Sequence, residues 1–387
     1  MNFPFEAMRF LHIRKMVGSL FGYRPLSVIP SLRSRSSQIS CRFGSDGTAQ
    51  VTPRDVVQHW QRMFEANGIP EARESSEYIV SFVLGAKTFQ SFSAERLSGP
   101  VTDQQWREIQ RLSTGRLKRM PVQYVIGEWD FGDMTLEMRP PVFIPRPETE
   151  ELVKLIVGEF TCKQKSEELS HTQKQQALLP HCEGISRGIL QCDCESLEVP
   201  HQTPVVLDIG CGSGAISLSL LQKIPQSRLI SVDKGIAAVN LTWDNAVRLE
   251  FMDRIKVLHH NILTDPIEKF LPWAPVDAIV SNPPYVFEED MQSLAPEILS
   301  YEDLDALCGG ADGLMVIKAI LLLTPQLLKD FGSVFLEVDP RHPEMVQKWL
   351  STCPDLRLHL IAIHEDFCGK PRFLHLRKRK ASTDSCD

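Results

Sequence analysis

The chain has 387 residues, 43% of them apolar, which gives room for two domains with cores of their own. No apolar run approaches the roughly 18 residues that a bilayer span requires, so no membrane association is expected. A net charge of −7 argues against a general nucleic-acid binder, whose domains are usually basic, and ten cysteines without a secretory signal read as reduced thiols.

The charge is unevenly spread. Residues 1–45 carry Arg9, Arg14, Lys15, Arg24, Arg33, Arg35 and Arg42 against Glu6 alone, a net of +6 that leaves −13 on the remainder. With eight serines in that stretch, and apolar and basic positions alternating over 3–21, residues 1–50 read as a mitochondrial transit peptide directed to the matrix. A disordered basic tail is the plainer alternative. Thr52-Pro53 then looks like a helix N-cap followed by proline at the first helical position. Val56, Val57, Trp60, Met63 and Phe64 repeat at helical spacing until Asn67-Gly68 stops the run. A second helix is expected from about Pro70 to Leu84, carrying Ile79, Val80, Phe82 and Val83. A third starts at Thr102-Asp103 and carries Trp106, Ile109, Leu112 and Leu117, which completes a small helical domain over 51–122. Arg111, Arg116, Lys118 and Arg119 form either a partner-facing patch or, the preferred reading, a solvated helix face.

Residues 123–147 read as a hairpin linker, and a helix follows at about 148–160. Residues 161–203 are polar and lack sustained periodicity, so a flexible inserted loop is expected there. Its Cys182, Cys192 and Cys194, with His171, His181 and His201, lack the paired spacing of a structural zinc site, so no metal is expected. From residue 204 strands and helices alternate, with strands near 205–209, 228–232, 255–259, 276–281 and 332–338 and a hairpin near 356–362 and 372–376. The fold class is α/β: a mostly parallel sheet with right-handed crossovers and one antiparallel strand at its end, over about 148–380. Residues 381–387 read as a disordered tail.

Two motifs within this alternation carry chemistry. The strand Val205–Ile209 contains Asp208 and leads into Gly210-Cys211-Gly212-Ser213-Gly214. Glycines at those positions let the backbone turn sharply and let a ligand approach where no Cβ stands. About 20 residues on, the next strand ends on Asp233, placed to accept from two ribose hydroxyls. Gly-x-Gly-x-Gly spacing argues for a nucleoside without phosphates, and Asp208 with the loop suits the charged amino-acid end of S-adenosylmethionine. Cys211 contributes small size and is not read as a nucleophile. The second motif is Asn282-Pro283-Pro284-Tyr285, after a buried strand. Two prolines cannot continue a ladder, so the strand stops at Asn282, at the carboxyl edge where open sheets bind ligands. The Asn282 amide and the Pro283 carbonyl can together hold a planar –NH2 group by both hydrogens.

With these two motifs in that order, the chain resembles the class I S-adenosylmethionine-dependent methyltransferases acting on planar nitrogens. More narrowly it resembles the HemK/PrmC family, the protein-glutamine N5-methyltransferases of class 1 peptide release factors, and within it the animal mitochondrial branch. Phe143-Ile144-Pro145-Arg146-Pro147-Glu148-Thr149-Glu150 matches the segment between the family's two domains. Tyr124–Gly127 and Phe131 match the motif before it. Tyr301-Glu302, Ala306-Leu307, Gly309-Gly310 and Asp312-Gly313-Leu314 match the substrate loop, and Asp366, Gly369 and Arg372 match the final hairpin. The resemblance spans about residues 52–160 and 204–377.

It implies N5-methylation of the glutamine in the Gly-Gly-Gln motif of a mitochondrial class 1 release factor. S-adenosyl-L-methionine is the implied co-substrate, with no metal, no stable nucleic-acid partner and a monomeric enzyme. The implied catalytic residues are Asn282, Pro283 and Tyr285, with Pro284 joining them against the substrate. The implied cofactor residues are Asp208, Gly210, Cys211, Gly212, Ser213, Gly214, Asp233, Asn261, Ile262 and Asn282. The helical domain then becomes the surface that recognises the protein substrate. Asn261-Ile262 stands where the family usually has Asp and an aromatic, so Asn261 accepts from the adenine amine and Ile262 covers the ring without stacking. Glu337-Val338-Asp339-Pro340 departs from a family pattern that more often holds a glycine.

Methyl transfer to nitrogen is an in-line displacement that needs mainly alignment and desolvation. A carboxamide lone pair is delocalised, so acceptors for both N–H groups raise electron density on nitrogen, while Tyr285 narrows the slot. The surplus proton is very acidic after transfer, so no strong general base is required. One rival is an adenine-N6 nucleic-acid methyltransferase, which calls for a basic groove or a base-recognition domain. Another is a non-catalytic S-adenosylmethionine-binding scaffold, which the intact motifs disfavour.

Overall fold

The structure is a computed structural model that describes residues 51–177 and 203–380. The expected transit peptide, the rest of the insertion with its cysteines, and the C-terminal tail lie outside the described residues. Cα packing divides the chain into two units: the first comprises residues up to 129 with 137–144 and 289–304, the second 130–136, 145–288 and 305 onward.

The first unit is helical. Helix α1 (Pro53–Ala66) starts where expected: Asp55 N donates to Thr52 Oγ1 at 3.3 Å, and the Asp55 carboxylate accepts from Thr52 N at 2.9 Å, a reciprocal capping box. Asn67 and Gly68, the latter at φ +63°, end it. Helices α2 (Ala72–Val83), α3 (Ala94–Ser98), α4 (Asp103–Leu117) and α5 (Val122–Ile126) follow, α4 opened by a second capping box between Thr102 and Gln105. Val56, Trp60, Phe64, Ile79 and Ile109 form their common core. Each such side chain contributes about 1.5–3 kcal/mol on leaving water.

Two expectations change in this unit. Residues 123–126, expected to begin a hairpin, lie in the short helix α5, closed by Gly127 at φ +78°. Arg116 is not on a solvated face. It is 4% exposed, its Nε donates to Ser75 Oγ at 3.1 Å, and it pairs with Glu297 at 3.5 Å. Glu297 lies on α9 (Pro296–Tyr301) and also pairs with Arg119 at 3.1 Å. Tyr301 Oη donates to the Lys118 carbonyl at 2.7 Å, and Glu302 accepts from Ile144 N at 3.2 Å. The segment that the sequence groups with the substrate loop is thus built into the helical unit. A short ribbon of β1 (Glu128–Phe131) and β2 (Met134–Glu137) carries the chain onward.

The second unit opens with α6 (Pro147–Ala177), which runs past the expected end near 160. The extension is rich in Lys, Glu and Gln, good helix formers whatever their periodicity, and no proline intervenes before Pro180. The unit then builds a seven-stranded sheet in the order β5-β4-β3-β6-β7-β9-β8. Its strands are β3 (Val205–Ile209), β4 (Arg228–Asp233), β5 (Ile255–His259), β6 (Val276–Ser281), β7 (Leu328–Glu337), β8 (Leu358–Glu365) and β9 (Pro371–Lys378). Helices α7 (Ala215–Lys223), α8 (Ile236–Arg248), α10 (Met315–Leu327) and α11 (His342–Ser351) connect them. Only β9 runs antiparallel, and it lies one place in from the edge, between β7 and β8. Leu207, Ile209, Ile279, Ile317, Val334 and Leu336 are core residues of this sheet and its covering helices. The order reverses at β3, which has β4 on one side and β6 on the other. That makes the β3/β6 crevice the switch point at which open sheets bind ligands.

Candidate active site

Both chemical motifs leave the sheet at this switch point. Registers align Ile209 with Val232, Asp233 with His259 and Ser281 with Leu336, so the strand ends stand along one edge. Ser281 Oγ donates to the Ile209 carbonyl at 2.5 Å and ties the end of β6 to the end of β3. Gly210, Gly212 and Gly214 all adopt positive φ (+78°, +57° and +86°), which side chains rarely tolerate. A Cβ built on Gly210 would sit 3.8 Å from the Asn282 carbonyl oxygen, so the glycine turn and the Asn-Pro-Pro-Tyr turn are neighbours. At Gly212 such a Cβ would meet nothing, which leaves the backbone open to close approach.

Asp233 shapes this turn: its two carboxylate oxygens accept from Gly212 N at 3.0 Å and Gly235 N at 2.8 Å. The other expected cofactor residues divide by exposure. Gly210, Gly212, Asp233, Asn261, Ile262 and Asn282 reach the surface, whereas Cys211, Ser213 and Gly214 are buried beneath it. Cys211 Sγ accepts from Thr242 Oγ1 at 3.3 Å, and burial pushes its thiol well above the usual range, which fits a packing role. Asp208 departs from expectation. It is wholly enclosed, so its carboxylate cannot touch a ligand directly; instead it accepts from Ser217 Oγ at 2.5 Å and braces the start of α7. Burial, with the Asp233 charge adding to it, pushes Asp208 up to about 7. Asn261 Oδ1 accepts from Leu263 N at 3.0 Å, so one of its two lone pairs holds its own turn. Ile262 packs partly against the sheet core.

Around the second motif, Pro283 is buried while Asn282, Pro284 and Tyr285 are half-buried. Asn282 Nδ2 donates to Thr149 Oγ1 at 3.1 Å. Thr149 Oγ1 in turn donates to Glu337 Oε2 at 2.7 Å, and Tyr285 Oη donates to Glu337 Oε1 at 3.1 Å. Glu337, at the end of β7, is 1% exposed; burial pushes it up to about 7, opposed by the nearby Arg372 guanidinium. Burial and the Glu337 carboxylate push the Tyr285 phenol upward, so it stays a neutral donor. Sequence reasoning noted the Glu337 segment only as a departure. The missed signal was an acid closing an apolar strand, as Asp233 does. Arg372 links back to the last motif: its Nε lies 3.3 Å from Asp366, whose Oδ1 accepts from Cys368 N and Lys370 N to form the tight turn at Gly369.

The Gly309–Gly313 loop packs against the same tetrapeptide. Gly313 has φ +66°, and a Cβ there would lie 2.5 Å from His342 Nε2 and 2.6 Å from the Tyr285 carbonyl oxygen. Gly313→Ala is therefore expected to displace Tyr285, lowering the turnover of the site at least tenfold and the melting temperature by several degrees, about 1–3 kcal/mol of strain. Differential scanning calorimetry and single-turnover kinetics check it.

Such a sheet, with a glycine turn at its switch point and one antiparallel strand, is the fold of class I S-adenosylmethionine-dependent methyltransferases. The profile of the PrmC N-terminal domain matches residues 55–127, and that of the methyltransferase small domain matches residues 194–338. The chain is 54% identical over 324 residues to human MTRF1L release factor glutamine methyltransferase, covering 84% of this chain and 87% of that protein. It is 27% identical to the release factor glutamine methyltransferase of Fusobacterium nucleatum, covering 84% and 78%. Among solved structures, TrmN from Thermus thermophilus aligns over 46% of this chain and 44% of that one, with 22% identity and a TM-score of 0.31. The chain belongs to the HemK/PrmC family of release factor glutamine methyltransferases.

The methyltransferase domain implies use of S-adenosylmethionine, and the residues fit it: an open glycine turn beside the surface-reaching Asp233 carboxylate favours a cationic ligand, and this one carries a sulfonium and an ammonium. Among the described residues, no group of three or more His, Cys, Asp or Glu side chains is placed to hold a metal ion, and no helix is long and apolar enough to cross a membrane.

Proposed function

We propose that the chain methylates the side-chain nitrogen of the glutamine in the Gly-Gly-Gln motif of a mitochondrial class 1 release factor. The observation that carries the reading is the amide of Asn282, set beside the glycine turn and held by Thr149 through its –NH2 group. That leaves its carbonyl oxygen as an acceptor for a substrate –NH2, with the Pro283 carbonyl as the second.

Bound S-adenosylmethionine supplies an electrophilic methyl group on a sulfonium. Asp233 accepts from the ribose hydroxyls, Gly210 and Gly212 give room for the amino-acid end, and Asn261 and Ile262 flank adenine. Asp208 acts from behind, bracing the start of α7 through Ser217. Asn282 and Pro283 orient the glutamine amide and sharpen its nitrogen lone pair, while Pro284 and Tyr285 wall the slot. Two glycines before the target let the substrate backbone enter a narrow slot. Choice among proteins falls to the helical domain of residues 51–122.

The human relative's name supports a release-factor substrate, and the basic, serine-rich residues 1–50 support the mitochondrial matrix. In cells lacking this chain, the mitochondrial release factor is expected to carry unmethylated glutamine. In vitro, the full-length factor is expected to react at least tenfold faster than a short Gly-Gly-Gln peptide. Equal rates on peptide and protein would remove the recognition role of the helical domain.

A further inference from the structure

We propose that Thr149 and Glu337 are positioning residues that fix which edge of the Asn282 amide faces the methyl acceptor. This rests on Asn282 as the acceptor for a substrate –NH2 and adds what makes it one.

An asparagine amide is nearly symmetric in shape but opposite in chemistry at its two edges: oxygen accepts and nitrogen donates. Only the oxygen edge can hold an –NH2 group. A threonine hydroxyl carries a single proton, and that of Thr149 is given to Glu337 Oε2 at 2.7 Å. Toward Asn282 the hydroxyl can then only accept, so Nδ2 turns to it at 3.1 Å and Oδ1 turns to the crevice. Glu337 imposes this direction because an ionised carboxylate accepts and never donates. Its other oxygen takes Tyr285 Oη at 3.1 Å, so one buried acid orders both polar side chains of the tetrapeptide. The relay selects an –NH2 donor and disfavours a carboxylate or carbonyl at the same spot.

The charged groups facing Glu337 are Glu148 from α6 and Arg372 from β9, the first raising its pKa and the second lowering it, with Tyr285 as hydrogen-bond donor. With Glu337 near 7, acidification through that value adds a proton that can be donated to Thr149. The Thr149 proton is then released toward Asn282 and the amide loses its fixed direction. The methyl-transfer rate is expected to fall as pH drops through about 7.

The test uses the full-length chain, with single-turnover rates on a release factor and calorimetric cofactor affinity. Thr149→Val keeps the shape and removes the hydroxyl; Thr149→Ser keeps the hydroxyl and removes a methyl. Losing one ordered hydrogen bond should slow Thr149→Val about tenfold, Thr149→Ser should recover most of that rate, and cofactor affinity should stay within about twofold. Glu337→Gln, an amide that can donate to Thr149, should slow transfer by a similar factor and flatten the acid limb of the pH profile. A Val variant as fast as the Ser variant, or an unchanged acid limb in Glu337→Gln, overturns the proposal. In 15N-labelled protein, one Asn282 side-chain amide proton should exchange slowly in the wild type and in Thr149→Ser but not in Thr149→Val. That readout needs no substrate, so it judges the relay even if the release factor proves not to be methylated, an outcome that would fell only the functional reading.

Discussion

Asn282→Ala is expected to lower the methyl-transfer rate by about 10²–10³ while leaving S-adenosylmethionine affinity within about twofold, because it removes one preorganised partner of the reacting nitrogen. The structure sharpens this. Asn282 ends β6 beside Gly210, yet its own hydrogen bond goes to Thr149, so truncation leaves the glycine turn and its Asp233 contacts standing. Thr149 keeps Glu337 as a partner, so no buried group is left unpaired. Single-turnover rates with calorimetry separate the two effects. A variant that transfers at near-normal rate would sink the role given to Asn282, and one that loses cofactor affinity equally would show a collapse of the edge.

Asp233→Ala is expected to act the other way, weakening cofactor binding by at least about 10², since two hydrogen bonds to a charged group, each about 1.5–3 kcal/mol, are lost. A second loss compounds it. The same carboxylate holds Gly212 N and Gly235 N, so alanine frees the turn as well as the ribose. Asp233→Asn tells these apart: one amide oxygen can keep one backbone donor but not both. It should fall between wild type and Asp233→Ala in calorimetric affinity. Unaltered affinity in the alanine variant would contradict the assignment of the β4 end to the cofactor.

Much of the fold was legible because its signals are local. Thr52-Pro53 and Thr102 set helix starts through capping, and β3, β5 and β6 occupy the expected spans because apolar runs between turn residues leave few alternatives. The two motifs were legible at the sheet edge for the same reason: glycines and prolines act on their own backbone. What could not be read depends on distant partners. Arg116 looked solvated until Glu297, far along the chain, proved to be its counter-ion. Asp208 looked ligand-facing because a sequence does not show that Ser217 and full burial enclose it. Glu337 carried no role until Thr149 and Tyr285 converged on it from two other segments. The helix over Pro147–Ala177 was undercut because apolar periodicity was required of a stretch held by propensity.

The most direct test of the central claim is peptide mapping by mass spectrometry of a purified mitochondrial class 1 release factor after incubation with this chain and S-adenosylmethionine. The account predicts one added methyl group, on the glutamine of Gly-Gly-Gln, absent when Asn282→Ala replaces the wild type. Methyl transfer to DNA or RNA with the release factor unmodified would contradict it.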